Sequence, residues 1–118
     1  METCFDFVQQ PYKDLSLWKA ARSLSRDVDT LTKTFPEYNT LVRLLREKTT
    51  RLSLTIATDS PGTDMPRTDA LQRAYEQAHD AEYVLLFSLI FRYVPYTDAR
   101  GLFEKIYNVK RLIVEALQ

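Results

Sequence analysis

The sequence predicts an all-α protein, folded as an antiparallel up-and-down four-helix bundle. Three observations carry that prediction: glycine is almost absent, proline marks the breaks between segments, and each segment bears an apolar stripe at helical spacing. The chain has 118 residues, which suits one domain spanning 1–118 with a core of its own. Gly62 and Gly101 are the only glycines. A sandwich or barrel of short strands needs many turn glycines, so their scarcity favours helices. Four helices of similar length with short connections default to antiparallel neighbours.

Proline sets the boundaries. Pro11 precedes the first periodic segment, Phe35-Pro36 ends it, Ser60-Pro61-Gly62 lies in the middle, and Val94-Pro95 closes the third. Proline disrupts a helix interior but is tolerated in a first turn, so these positions read as ends. The expected helices run over roughly 12–34, 37–57, 66–93 and 98–117.

The first helix places Leu17, Ala21, Leu24, Val28 and Leu31 at alternating steps of four and three, with Phe35 continuing the series. That is a packing seam, and Lys19, Arg22, Arg26, Asp29 and Lys33 fall off it. Trp18 borders the seam, suited to close the core with its indole nitrogen towards water. The second helix carries Tyr38, Leu41, Leu45, Thr49, Leu52 and Ile56 on one side, and Arg43, Glu47 and Arg51 on the other.

The third helix follows Asp64-Met65-Pro66, and its seam is Leu71, Ala74, Ala78, Ala81, Leu85 and Ser88. Small side chains let a neighbouring helix come close. From Tyr83 the pattern changes, and Val84, Leu86, Phe87, Leu89, Ile90 and Phe91 surround the axis. A helix apolar on all sides must be covered on all sides. In the fourth helix Thr97 is the expected N-cap, with Asp98 in the first turn where the helix dipole favours an acid. One stripe there is Leu102, Ile106, Val109 and Ile113; a second is Phe103, Tyr107, Val114 and Leu117. Two stripes exceed what a monomeric bundle needs. The sequence therefore predicts self-association, through Val84, Phe87, Phe91, Phe103 and Tyr107. The alternative is a monomer in which both helices are simply central.

Composition excludes several classes. Sixteen basic residues balance sixteen acidic ones, so no global field draws the protein to nucleic acid or anionic lipid. Two glycines cannot build a phosphate-binding loop. Cys4 is the sole cysteine and His79 the sole histidine, which rules out an internal disulfide and leaves a Cys/His zinc site without ligands. A free cysteine and an acidic opening without a secretory pattern predict a cytoplasmic protein. The most apolar run, Tyr83 to Phe91, is about half a membrane span, so no membrane partner is expected.

Candidate chemistry is sparse, and the sequence predicts no enzyme, no catalytic residues, no metal and no cofactor. His79 adjoins Asp80, but neighbours on a helix point about 100° apart and cannot form a dyad by proximity. Glu76-Gln77-Ala78-His79 matches the Glu-x-x-His spacing of di-iron bundles once, without the second copy and the two further inward glutamates such a site requires. Arg43, Arg46, Lys48 and Arg51 surround Glu47 and make the second helix basic. They are the candidate phosphate contacts for RNA or DNA. The competing reading is a solvated face with ordinary Arg43–Glu47–Arg51 pairing.

The order of features resembles the bacterial four-helix-bundle proteins encoded in 23S rRNA intervening sequences. Tyr12-Lys13-Asp14-Leu15-Ser16-Leu17-Trp18 is similar to that family's aromatic–basic–acidic–Leu–x–x–Trp opening. Phe35-Pro36-Glu37, Leu45-Arg46 and Ile56-Ala57 follow its later landmarks. The chain departs where the family has Asn-Ile-Ala-Glu-Gly, carrying Thr55-Ile56-Ala57-Thr58-Asp59 instead, and its Ala-x-Gly-Ser segment is degenerate around Ala78 to Ala81. A related branch comprises the accessory proteins of diversity-generating retroelements, which form pentamers and bind nucleic acid and a reverse transcriptase. The resemblance implies a homopentamer acting as a nucleic-acid-associated accessory protein. The alternative is a protein–protein interaction or scaffold module that binds no nucleic acid.

Overall fold

A computed structural model of the protein describes residues 12–35, 39–58 and 67–118. They form four α-helices: α1 Tyr12–Thr32, α2 Thr40–Thr58, α3 Arg67–Ile90 and α4 Tyr96–Leu117. Each helix packs on its neighbours in the chain and α1 closes on α4, so the four make a square. Neighbours are antiparallel. Going up α1, Ala21 and Asp29 meet Ser53 and Arg46 of α2, in reverse order. The expected antiparallel four-helix bundle is the observed fold.

The core follows the stripes. Leu17, Ala21, Leu24 and Val28 of α1 are buried against Leu45, Leu52 and Ile56 of α2, the Leu71–Leu85 seam of α3, and Leu102, Ile106, Val109 and Ile113 of α4. One position in α2 differs from expectation. Val42 is buried where Leu41 was expected, and Leu41 is only half-buried. Leu41 falls on the flank of α2 nearer α3, beside an open cleft at the end of the bundle, whereas Val42 begins a clean three–four stripe through Leu45, Thr49, Leu52 and Ile56.

Among the described residues three hydroxyls lie in this apolar interior, and all are satisfied in one way. Thr32 Oγ1 donates to the Val28 carbonyl at 2.7 Å, Thr49 Oγ1 to Leu45 at 3.0 Å, and Ser88 Oγ to Val84 at 2.8 Å. Bonding back four residues lets a polar side chain serve as a small core residue without needing a partner on another helix. Between α1 and α2, Ser25 Oγ lies 2.7 Å from Ser53 Oγ and donates to the Thr49 carbonyl at 2.9 Å. Ser53 Oγ reaches the Ala21 carbonyl at 3.2 Å. These short side chains hold the two backbones close. Trp18 is half-buried against the core, with the Arg22 guanidinium 5.4 Å over its ring.

Helix ends account for most of the departures. Asn39 caps α2, its Oδ1 accepting from the Val42 N–H at 3.1 Å. The expected cap of α4 is not used. That helix begins at Tyr96, not 98, and Pro95 occupies the cap position in extended conformation without a side-chain cap bond. Pro95 supplies its carbonyl to the Ala99 N–H at 2.9 Å, which leaves Thr97 inside the first turn. The third helix ends at Ile90, not 93. Arg92 takes a left-handed conformation, φ 63°. Tyr93 N–H returns to Ser88 O at 2.8 Å and Arg92 N–H to Leu89 O at 3.0 Å. This pair of bonds is a Schellman ending, in which glycine is usual at the left-handed position. Pro95 disfavours a helical Val94, and the reversal tucks Val94 into the core. Pro36 to Tyr38, Ser60 to Pro66 and Cys4 lie outside the described residues.

Leu24→Ala and Leu45→Ala should each lower stability by about 2–5 kcal/mol in chemical denaturation, as truncations at fully buried sites. Arg43→Ala, on the exposed side of α2, should stay within about 0.5 kcal/mol. Equal losses at all three sites would mean that the helical phase is wrong. Arg92→Gly should raise the thermal midpoint slightly, by up to about 1 kcal/mol of stability, because relief of the left-handed strain exceeds glycine's greater freedom when unfolded.

Candidate functional site

The exposed apolar surface follows from how α3 is turned. Its inward seam is Ala70, Leu71, Ala74, Ala78, Ala81, Leu85 and Ser88, all buried. Asp80 Oδ2 lies 3.6 Å from Lys48 Nζ, so the row Asp80, Val84, Phe87 and Phe91 is on the α2 flank. Lys110 Nζ of α4 lies 3.1 Å from Glu82 Oε1 and 3.2 Å from His79 Nδ1, so His79, Glu82 and Leu86 are on the α4 flank. Tyr83 and Ile90 fall between the rows and face outward, Ile90 being 57% exposed.

On α4, Lys105 pairs with Asp27 of α1 and donates to Ser23 Oγ at 2.8 Å, which marks the α1 side. Lys110 marks the α3 side, and Phe103, Tyr107 and Val114 share its row. Tyr107 is 67% exposed. Tyr83, Leu86, Ile90, Tyr93, Tyr96 and Tyr107 therefore contribute to one broad apolar and aromatic surface across α3, the turn and α4.

The residues expected to form an interface divide on this surface. Val84 and Phe103 are half-buried against the protein's own core. Phe87, Phe91 and Tyr107 are exposed. Phe87 and Phe91 are on the α2 flank, their ring centroids 6.5 Å apart, and Tyr107 is on the far side of α3. Tyr93 and Tyr96 were not foreseen, because they flank Pro95 in a turn where stripe periodicity does not reach. Outside α3, the turn and α4, Leu54 on α2 is the only large apolar side chain exposed among the described residues.

The four cations of α2 do not share a face. Arg46 turns to α1 and bonds Asp29 Oδ1 at 3.1 Å. Lys48 turns the other way, to Asp80. Arg51 points outward and pairs with Glu47 at 3.0 Å. Arg43 also points outward and makes no ion pair among the described residues. The sequence grouped these four by proximity along the chain, whereas positions 43, 46 and 48 spread around about 200° of the helix.

Glu76 and His79 are both exposed. His79 lies 3.6 Å from Glu82 Oε1 and meets the Tyr83 ring edge-on at 4.8 Å. Its neighbours are an ion pair and an aromatic ring, with Asp80 turned away towards Lys48. Among the described residues no group of three or more His, Cys, Asp and Glu side chains is placed to hold a metal ion.

Where α1 and α3 end and α2 begins, a cleft of about 600 Å³ opens between Phe35, Asn39, Thr40, Leu41, Phe91, Arg92 and Tyr93. A smaller groove of about 370 Å³ runs between α1 and α4, over Asp27, Leu31, Asp98, Gly101 and Lys105. Among the described residues no helix is long and apolar enough to cross a membrane. Comparison of the chain with protein-family models, curated proteins and solved structures finds no match.

Proposed function

We propose that the protein is a non-enzymatic, self-associating helical bundle whose working surface is the outer face of α3 and α4. The observation that carries this reading is the contiguous exposure of Tyr83, Leu86, Ile90 and Tyr107, with Phe103 half-buried beside them. An apolar surface of that kind, left in water, is the usual mark of a protein–protein contact. A second copy of the chain is the partner that fits. The formal net charge is zero, so copies do not repel one another. The face is also edged by pairs of both signs, Lys110–Glu82 and Arg111–Glu115, which can meet their own like across a symmetric contact. Phe87 and Phe91 lie at its margin. The family resemblance supports a pentameric ring as the form of the assembly.

The second reading is association with RNA or DNA, alone or beside a reverse transcriptase, as the resemblance suggests. One observation favours it: Arg43 and Arg51 both point outward on α2, and Arg43 is unpaired among the described residues. Symmetry would repeat that pair around a ring, so weak contacts could act together. The pairing of Arg46 and Lys48 within the bundle makes this footprint smaller than the sequence suggested, and favours the interaction-module reading for the isolated protein.

Light scattering at micromolar concentration should give a mass several times 13.8 kDa. Ile90→Glu combined with Tyr107→Glu should return it to the monomer mass with helicity intact, because both side chains are exposed within one copy. A wild-type monomer at that concentration would overturn the proposal. For the second reading, fluorescence anisotropy with a structured RNA and a duplex DNA should show weak binding that falls steeply with salt. Arg43→Ala with Arg51→Ala should weaken both probes alike. Absence of binding at low salt would remove nucleic acid from the account of this protein acting alone.

A further inference from the structure

The cleft at the end of the bundle has a chemistry of its own and borders the self-association face at Phe91 and Tyr93. Of its seven described lining residues Arg92 alone is charged, and none of the seven is acidic. Arg92 makes no ion pair among the described residues. Asn39 commits its Oδ1 to the α2 cap, which leaves the amide nitrogen as the group available to a ligand. Thr40 and Tyr93 add hydroxyls, and the first turn of the nineteen-residue α2 brings the positive end of its dipole to the same place. The polar groups are thus predominantly donors, arranged for an anion. The remaining wall is apolar and largely aromatic: Phe35, Leu41, Phe91 and the Tyr93 ring, with Phe91 59% exposed and its centroid 6.2 Å from that of Tyr93.

A second observation points to a ligand. Arg92 occupies the left-handed position of the Schellman ending, where glycine would be the less strained residue. Residues held in such conformations are over-represented at ligand clamps and switch regions. In the fold itself the Arg92 side chain has no ion-pair partner among the described residues, but it lines the cleft.

We propose that this cleft binds a nucleoside phosphate, with the flat base against the exposed aromatic side chains and the phosphate held by Arg92 and the donors of Asn39 and Thr40. Guanidinium suits phosphate through its planar fork of donors, and aromatic side chains accept any base by stacking. A volume of about 600 Å³ accommodates one nucleotide. The nucleotide is either free or an unpaired residue of a single strand, since both present the same base and phosphate.

Calorimetric titration of the full chain with adenosine monophosphate, adenosine, inorganic phosphate and a short single-stranded oligonucleotide tests this. Adenosine monophosphate should saturate at one per chain, with adenosine and phosphate each at least about tenfold weaker, because each supplies half of the contacts. Arg92→Gly should weaken adenosine monophosphate by about tenfold or more while the thermal midpoint holds or rises. Phe91→Ala should weaken it with the fold intact, as that side chain is mostly exposed. Oligonucleotide binding that matches the mononucleotide and shares its Arg92 dependence supports the site and assigns it to a strand. No saturable binding of adenosine monophosphate at millimolar concentration overturns the proposal. Binding unchanged in Arg92→Gly does so too, as does adenosine binding as tightly as its phosphate.

Discussion

The alanine seam of α3 is the constraint on which the rest of the molecule depends. Ala74, Ala78 and Ala81 are fully buried, and side chains that short let α2 and α4 approach the axis of α3 closely. With the inward positions filled by alanine and closed by Leu71 and Leu85, little room remains inside for larger groups. Tyr83, Leu86, Phe87, Ile90 and Phe91 therefore stand outside. The exposed surface and the tight interior are two faces of one packing solution. Enlarging the seam would do more than overfill a core, because it would push apart the helices that frame that surface.

Much of this was legible in the sequence. The three–four spacing of Leu17, Ala21, Leu24 and Val28 has no strand counterpart, and the burial of Ala74, Ala78 and Ala81 follows from the same rule. What periodicity could not supply was the tertiary neighbour of each off-stripe residue. Arg46 and Lys48 are two positions apart, yet one reaches α1 and the other α3. Val84 and Phe103 read as surplus in a one-dimensional stripe but pack on the flanks of the core. Helix ends were the other gap. Thr97 has the residue type of a cap, but Pro95 two positions earlier fixes where α4 starts, and backbone geometry outranks side-chain preference there. The left-handed Arg92 had no signal at all, since arginine is not a residue that announces a helix ending.

The polar groups of the interior are as economical as the alanines. Thr32, Thr49 and Ser88 close their hydrogen bonds on their own helices, whereas Ser25 and Ser53 tie α1 to α2 and Ser23 accepts from Lys105 of α4. Interhelix specificity in the core therefore rests on shape, and charge acts only at the rim. Exposed rim pairs such as Arg46–Asp29 contribute little to stability individually, at most about 1 kcal/mol. Their effect lies in orientation.

That effect is greatest in α4. Lys105 is held by Asp27 and Ser23 on one flank, and Lys110 on the other by Glu82 and His79, over the ring of Tyr75. A cylinder seated on a smooth apolar core is free to roll about its long axis; one pinned by stays on both sides is not. The two lysines set the rolling angle of α4, and with it the direction in which Tyr107 projects. A partner meeting this surface finds its contacts already aimed and has less disorder to remove on binding than it would against a helix free to turn.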